Sequence, residues 1–328
     1  MAAAALGRPV HLLEKDVWVV WALQTLFGSK FGPQLVFKGG TSLSKAYHAI
    51  RRFSEDVDLT YDIRAIAGDL IGDSPDAIPT SRSQERRWTK EIRARLGEWV
   101  RTDALPTMAT ALAEANLSAE AVAEEGNLFI RYEPLGSGTG YVRPAVMLEF
   151  GARATGEPWE ILPIVSDAAA YIPELTFPSA RPQVMKAERT FWEKATAIHV
   201  FCAHGRFRGA ERFARHWHDV SRLGEAGYAA RAIADTEIAM AVARHKTTFF
   251  PEKDSDGDLI DYQAAVSGAL HLVPDGSALE LLVEDYRKMV DDGLLLDDAE
   301  PFDALIERCR EIQEQANTKL SSRTGLDL

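Results

Sequence analysis

The sequence predicts a mixed α/β (α+β) protein, in which a small mixed sheet flanked by helices precedes a helical C-terminal domain. Short runs typical of β-strands are confined to the first part of the 328-residue chain. The later residues carry apolar side chains at helical spacing. Between the two parts lie Pro173, Pro178 and Pro182. We therefore expect a core domain over residues 1–183 and a helical domain over residues 184–328.

The composition limits the classes of protein that fit. With 46% apolar residues, the chain can bury one large core or two ordinary ones. A formal net charge of -12 argues against a protein that coats nucleic acid nonspecifically, because that binding mode neutralises phosphates with Lys and Arg. A local basic patch remains compatible with this charge.

The cysteines and the N-terminus predict a cytoplasmic protein without a membrane partner. Only Cys202 and Cys309 are present, far apart in sequence, which is typical of a reducing compartment. Residues 1–12 lack the basic start of a secretion signal, and the richest apolar run, residues 17–27, is too short to span a bilayer.

Two helical stretches are predicted in the first domain. Apolar residues at helical spacing indicate an amphipathic helix over residues 12–27, with Lys15 and Asp16 on its wetter side. Residues 84–117 are charged and favour a surface helix followed by a second helix.

A strand, a glycine turn and a helix are predicted next to one another. Leu35 to Phe37 form a short apolar run that ends at Gly39 and Gly40. Thr41 is suited to cap a helix from Ser42 to about Ile50.

Residues 56–61 alternate polar and apolar side chains, which is the period of a half-buried strand. Asp56 and Asp58 then share one face of that strand. Further strands are expected at residues 127–135, 141–150 and 159–165, with a hairpin loop at 136–140. The helices expected after the prolines cover about 184–203, 209–226, 231–247, 277–292 and 301–318.

The glycine turn and the two aspartates have complementary chemistry. Glycines at a strand-to-helix turn let backbone amides approach a triphosphate, and Lys38, Thr41 and Ser42 add further donors. Two carboxylates on one strand face can hold a pair of Mg2+ ions. An Asp-x-Asp triplet alone is usually a solvated loop or strand edge, so the combination carries the interpretation.

Glu149 is a candidate third metal ligand. It lies in the apolar strand Val146–Phe150, where a charge needs a reason. The alternative is a strand residue that faces water.

Two segments resemble a known family. Phe37-Lys38-Gly39-Gly40-Thr41-Ser42-Leu43 and Arg52-Phe53-Ser54-Glu55-Asp56-Val57-Asp58-Leu59 look like the first signature of the AbiEii/AbiGii toxin nucleotidyltransferases, in the DNA polymerase beta-like superfamily. The Glu14-Lys15-Asp16 helix resembles the opening helix of that family. Further counterparts are Phe191 to His199, with a lysine, and Arg215 to Val220, with an aspartate, so the resemblance spans residues 12–223.

The resemblance implies a nucleotidyltransferase core and roles for two more residues. Lys194 would contact the triphosphate, and Asp219 would position the nucleotide or the lysine. His216 departs from the family pattern, which commonly has an acidic residue at that position. The implied cofactor is Mg2+, and the implied partners are an NTP, an RNA acceptor such as tRNA, and a cognate antitoxin protein.

Each of these roles has an alternative interpretation in which the residue is purely structural. Lys186, Thr190 and Lys194 share a helix face, which suits phosphates but is equally typical of a solvated basic stripe. Asp219 is also explained by an exposed ion pair with a neighbouring arginine, Arg215 or Arg222. Ser54 suits either a phosphate contact or a turn.

Positive charge concentrates in one region, which we interpret as a surface for an RNA end. It consists of Arg189, Arg206, Arg208, Arg212, Arg215 and Arg222 with His199, His204, His216 and His218. The histidines lack the companions of a zinc site and are expected at surface helix positions.

Three hypotheses for function remain. The first is a Mg2+-dependent nucleotidyltransferase that transfers an NMP to RNA and acts as a toxin neutralised by an antitoxin. The second keeps the same site but uses a small-molecule acceptor of the antibiotic type. The third is a noncatalytic nucleotide-binding interaction protein, which would not need a pair of metal-binding carboxylates.

Overall fold

The computed structural model describes residues 2–54, 56–72, 74, 76–136, 143–205, 212–295 and 299–324. The chain divides into two compact units. The first contains residues 1–46 and 54–185, and the second contains residues 47–53 and 186–328. The short segment 47–53 thus belongs with the C-terminal residues although it lies between two parts of the first unit.

The first unit contains both sheets and the helices that flank them. Its helices are α1 Ala2–Leu6, α2 Val10–Gly28, α3 Gly39–Lys45, α4 Ile63–Ile71, α5 Arg82–Trp99 and α6 Leu105–Glu114, with a π-helical stretch Val100–Ala104 between the last two. Its strands are β1 Leu35–Lys38, β2 Asp56–Tyr61, β3 Ala119–Glu124, β4 Asn127–Tyr132, β5 Ala145–Gly151, β6 Trp159–Ile161, β7 Ile164–Val165, β8 Ser179–Ala180 and β9 Gln183–Met185.

The main sheet is mixed, as predicted. Its seven strands have the order β3-β4-β5-β2-β1-β9-β6, and β7 pairs with β8 separately. Strand β2 lies at the centre, parallel to β5 and antiparallel to β1. The acidic strand is therefore paired on both sides, which fixes its backbone along its length.

Alternation along β2 places the two aspartates on one face. Val57 and Leu59 are fully buried on the other face, and Leu148 of β5 is buried beside them. Each such side chain contributes about 1.5–3 kcal/mol by leaving water. A shift of one residue in the pairing would expose these side chains and bury both aspartates, so the core sets the register.

Several predicted elements of the first unit have different limits. The helix after the glycines begins at Gly39 and ends at Lys45, so the prediction of a helix from Ser42 to Ile50 was wrong, as was its cap at Thr41. Strand β3 was missed because its alanines and glutamates are poor strand formers.

Two further predictions need correction or lie outside the described residues. The proline-punctuated stretch ends in β9, which pairs with β1 and β6, so its last residues are part of the sheet. The hairpin loop predicted at 136–140 falls mostly outside the described residues, but β4 and β5 pair antiparallel as expected for a hairpin.

Helix α2 is buried more deeply than its sequence suggested. Lys15 is only 2% exposed, and Asp16 lies against Lys45. The prediction of a wetter side at these two residues was therefore wrong. Lys15 Nζ donates to the carbonyl of Arg143, and the Asp16 carboxylate accepts from Lys45 and from the N–H group of Asp167.

The second unit is helical in its described part. Its helices are α7 Ala187–His204, α8 Arg215–Glu225, α9 Tyr228–Ala234, α10 Thr236–Phe249, α11 Tyr262–Val266, α12 Gly276–Asp291 and α13 Phe302–Thr324. The prediction of one helix over 231–247 missed the break at Asp235, whose side chain caps α10. The start of the helix predicted at 209–226 lies outside the described residues.

Two tryptophan side chains lie in the core of the second unit. Trp192 and Trp217 are fully buried. Their indole N–H groups donate to the carbonyls of Ala232 (3.0 Å) and Leu272 (2.7 Å), so neither buried donor is left unsatisfied. These two bonds link α7 to α9, and α8 to the segment that precedes α12.

In the part of the chain that the structure describes, no helix combines the length and apolarity needed to cross a bilayer. Cys202 and Cys309 are both free thiols.

Candidate active site

The acidic residues of β2 lie in register with a third carboxylate. In the parallel pair of β2 and β5, Asp58 is opposite Glu149 and Asp56 is opposite Met147. Cross-strand neighbours point to the same side of a sheet, so Asp56, Asp58 and Glu149 share one face. Lys38 joins that row from β1, where it is opposite Asp58.

The first glycine of the turn lies directly against one of these carboxylates. Gly39 has a left-handed φ of +77°. A Cβ at this position would lie 2.7 Å from Asp58 Cγ and 3.0 Å from Asp58 Cβ, with the carboxylate oxygen nearer still. Only glycine leaves this space, which we call the Gly39 cradle. The turn therefore packs directly against the acidic strand.

We expect Gly39→Ala to displace the Asp58 carboxylate and to lower the nucleotide transfer that the sequence resemblance implies by about 10²-fold, because a shift near 1 Å in an active site has an effect of that size. A methyl group in a left-handed conformation also costs about 1–2 kcal/mol. Transfer assays and thermal unfolding of the purified variant would measure the two effects separately.

Gly126→Ala is the matched control for this substitution. Gly126 has a φ of +85°, and a Cβ there would meet nothing within 4 Å. It should show the backbone cost alone and retain activity. Equal activities of the two variants would contradict a role for Gly39 in placing Asp58.

The hydroxyls of the turn hold it against β2. Thr41 Oγ1 lies 2.8 Å from Ser54 Oγ and also donates to the main-chain carbonyl of Asp56. Ser42 Oγ donates to the carbonyl of Gly39 (2.9 Å). Thr41 and Ser42 are buried. These contacts link the glycine helix to the start of the acidic strand.

The other end of α3 is anchored by a buried lysine. Lys45 Nζ lies 2.5 Å from Asp16 Oδ1 and 2.7 Å from Asp167 Oδ1. A cation in the last turn of a helix also interacts favourably with the helix dipole. Both ends of this short helix are thus held by polar contacts within the first unit.

The second unit contains a buried cluster of charges around Asp219, which is 0% exposed. Arg52 donates two hydrogen bonds to this carboxylate, from Nε to Oδ1 (2.6 Å) and from Nη2 to Oδ2 (2.8 Å). Lys194 Nζ lies 2.8 Å from Oδ2. His218 Nδ1 lies 3.4 Å from Oδ1. One carboxylate therefore contacts two basic side chains, Arg52 and Lys194.

The electrostatics of this cluster follow from burial. Burial by itself raises the pKa of Asp219, but Arg52 and Lys194 hold that pKa well below its usual value. Burial lowers the pKa of Lys194, and Arg52 lowers it further, while Asp219 opposes the change. Burial also lowers the pKa of His216 well below its ordinary value, with Lys194 adding to the effect.

These contacts correct two of the alternative interpretations. Asp219 is not exposed, and its partners are Arg52 and Lys194 rather than Arg215 or Arg222. Lys194 is only 8% exposed, so it does not belong to a solvated stripe.

The surface assignment of the histidines was also wrong for two of them. His204 and His218 are buried. His218 is held beside Asp219, where a surface position was expected.

At least two of the six arginines in the region of concentrated positive charge form ion pairs. Arg189 is buried and pairs with Glu193, while Arg222 pairs with Glu225 and Glu300. Arg215 is exposed. Arg206 and Arg208 lie outside the described residues.

Arg52 was missed as a functional candidate. The indication in the sequence was that Arg52 begins the signature segment Arg52 to Leu59, four residues before Asp56. Its partner Asp219, however, lies 167 residues away in sequence. Nothing in the sequence pattern connects the two.

The residues of the acidic strand fit a divalent metal. Among the described residues, no three His, Cys, Asp or Glu side chains converge closely enough to form a metal cage. Mg2+ usually takes one or two carboxylates together with substrate phosphates, so a preformed cage is not required. Asp56 and Asp58 supply the hard oxygen donors, and the cradle at Gly39 fixes one of them.

A glycine turn packed against a strand with paired aspartates, in a mixed sheet, defines the nucleotidyltransferase class. The comparison with protein families agrees. The family described as "Nucleotidyl transferase AbiEii toxin, Type IV TA system" matches residues 21–308. The chain belongs to this family and is a nucleotidyltransferase.

Two solved structures are similar to the chain at low identity. The nucleotidyltransferase toxin MenT4 from Mycobacterium tuberculosis is 17% identical, with a TM-score of 0.44, over 98% of this chain and 88% of that chain. A putative nucleotidyltransferase from H. pylori is 14% identical, with a TM-score of 0.43, over 95% and 96%. No curated protein matches the chain.

Proposed function

We propose that this nucleotidyltransferase is Mg2+-dependent, transfers an NMP from an NTP to an RNA acceptor such as tRNA, and acts as a toxin neutralised by a cognate antitoxin. The observation that carries the proposal is the contact between Gly39 and Asp58. It places the turn suited to phosphates beside a carboxylate suited to the metal that accompanies them.

Asp56 and Asp58 are the proposed metal ligands, with Glu149 as a third. When bound, Mg2+ would favour attack on the α-phosphate by neutralising charge on the phosphates and the departing pyrophosphate. The chain's own part is to hold the carboxylates still. β2 does so through its pairing with β1 and β5, and α3 does so through the Gly39 cradle.

Lys38, Gly39, Gly40, Thr41 and Ser42 are the proposed phosphate-binding turn, with Ser54 bracing it. The Gly39 conformation brings the backbone of the turn to the carboxylate of Asp58. Thr41 and Ser54 bond to each other, which supports a bracing role for both hydroxyls.

Lys194 is proposed to bind the triphosphate. Lys194 contacts the carboxylate of Asp219, and both side chains are buried. Burial of the amine is costly, and an approaching phosphate oxygen would reduce that cost by accepting a hydrogen bond from it. Asp219 then acts as a positioning residue that holds Lys194 and is itself fixed by Arg52.

Family membership and the charge distribution support an RNA end as acceptor. The net charge of -12 and the ion pairs of Arg189 and Arg222 argue against binding of a long RNA duplex. Exposed Arg215 lies close enough to influence the pKa of Lys194. A short acceptor segment, such as a tRNA end, requires only a few such contacts.

The direct test combines purified protein, Mg2+, each α-labelled NTP in turn and total tRNA. The matched variant carries Asp56→Ala and Asp58→Ala, which retain the strand but remove both carboxylates. We expect label on RNA with the intact protein and none above background with the double variant.

Parallel reactions separate the alternative acceptors. Label on an aminoglycoside instead of RNA would replace RNA by a small-molecule acceptor. NTP binding without transfer to either acceptor would favour the noncatalytic hypothesis. A chelator that leaves transfer intact would contradict the metal dependence.

A further inference from the structure

One face of α7 extends from the proposed phosphate contact to an aromatic side chain. Lys194, Ala197 and Phe201 lie at spacings of three and four residues, which places them on one helix face. From the first to the third, the helix rises about 10 Å. Lys194 is buried, whereas Ala197 and Phe201 are partly exposed. Ala197 contributes only a methyl group between the two larger side chains.

The aromatic end of this face includes two residues from outside α7. The Phe201 ring lies 6.3 Å from the His216 ring, and the Phe213 ring lies 5.9 Å from His216. Phe213 and His216 are also partly exposed. Three ring systems thus meet at a partly open place within the second unit.

His216 connects the aromatic group to the charge cluster. Burial, and after it the nearby Lys194, lowers the pKa of His216 well below its ordinary value, so the imidazole is neutral at neutral pH. Its Nδ1 atom is enclosed and has no hydrogen-bond partner within the described part of the chain. An enclosed polar atom without a partner is unusual in a folded protein and calls for an explanation, such as a bound group.

We propose that Phe201, Phe213 and His216 form the subsite for the nucleobase of the NTP, with Ala197 beneath the ribose and Lys194 at the phosphates. This inference rests on the proposed function. All four nucleobases stack on aromatic rings. Their edges carry hydrogen-bond donors and acceptors, which could partner the imidazole of His216. The distance along α7 matches the reach from a triphosphate to its base.

The proposal assigns different roles to the aromatic rings, to His216 and to Lys194. Phe201 and Phe213 would supply affinity for any base, because every base has a face that stacks. A neutral imidazole would contribute to the choice among bases, because it donates at one nitrogen and accepts at the other. The charge of Lys194 would act only on the phosphates.

The test compares binding of the four NTPs with binding of inorganic tripolyphosphate, both with Mg2+, by calorimetry on the full chain. Tripolyphosphate carries the phosphates without a base. We expect the intact protein to bind its preferred NTP more tightly than tripolyphosphate. Phe201→Leu should weaken NTP binding about tenfold or more, which is the effect of removing one stacked base, and leave tripolyphosphate binding unchanged.

Three further variants sharpen the result. Ala197→Leu fills the space between Lys194 and Phe201 without removing any ring, so it should weaken NTP binding even if Phe201→Leu is poorly folded. His216→Asn should change the order of preference among the four bases. Phe250→Leu is the matched control, because Phe250 is exposed and packs beside His245 and Lys246 at the end of α10.

The outcomes distinguish this inference from the proposed function. Equal affinities of the intact protein for NTPs and tripolyphosphate, or unchanged NTP binding in both Phe201→Leu and Ala197→Leu, would overturn the subsite while label transfer to RNA still stood. Loss of tripolyphosphate binding in Phe201→Leu, with normal unfolding, would also overturn it. If the intact protein neither bound an NTP nor transferred label, the proposed function would fail first and the subsite with it.

Discussion

Asp58→Asn is expected to lower nucleotide transfer by about 10³-fold while the protein remains folded, because loss of a metal-binding carboxylate removes several kcal/mol of charge stabilisation. Asparagine has nearly the same shape and fits the Gly39 cradle, so the change removes charge with little effect on packing. Initial rates of label transfer at saturating Mg2+ would give the activity, and circular dichroism would establish folding.

Glu124→Gln is the matched control for Asp58→Asn. Glu124 is an exposed carboxylate on β3, in the same sheet, and pairs with Arg131 at the surface. Its removal should change activity less than twofold and stability by less than about 1 kcal/mol. If Asp58→Asn kept more than a tenth of the activity, Asp58 would not be a metal ligand.

The acidic strand was predictable because local and long-range requirements agree there. The alternation of residues 56–61 is the period of a strand, and the structure has β2 at Asp56–Tyr61. The same alternation settles which face carries the aspartates, because Val57 and Leu59 must be buried. The pairing of Asp58 with Glu149 followed no local pattern and required the order of the sheet.

The end of the glycine helix was not predictable from local propensity. The residues up to Ile50 are compatible with helix, but α3 ends at Lys45, whose side chain is held by Asp16 and Asp167. The following segment, 47–53, belongs to the second unit. Tyr47 packs against Tyr228, and Phe53 N–H donates to the carbonyl of Leu294. Tertiary contacts therefore override helix propensity at this point.

The charge cluster could be recognised only in part. The resemblance indicated Lys194 and Asp219, and the structure brings these two side chains together within the second unit. Helical spacing alone favoured a partner for Asp219 three or four residues away. The observed partner, Arg52, comes from the segment that leaves the first unit, so its role depends on the path of the whole chain.

Asp219→Asn is expected to lower the free energy of unfolding by about 3–5 kcal/mol, because it removes the buried carboxylate that pairs with both Arg52 and Lys194. The pKa of Asp219 in the folded protein lies well below its ordinary value of 3.8. Its contribution to stability is therefore complete above about pH 5 and is lost only as the pH falls below 3.8 towards the folded pKa. Chemical denaturation of both proteins between pH 3 and 8 would measure the difference.

Lys194→Met separates the stability of the cluster from its function. This change leaves the two bonds between Arg52 and Asp219 in place and removes the cation whose pKa burial lowers. Stability should change by less than about 1.5 kcal/mol, since an apolar side chain of similar volume replaces a buried charge. Nucleotide transfer should nevertheless fall strongly, because the cation proposed for the triphosphate is gone. Equal losses of stability in Asp219→Asn and Lys194→Met would contradict this division, because they would mean that Lys194 rather than Arg52 balances the carboxylate.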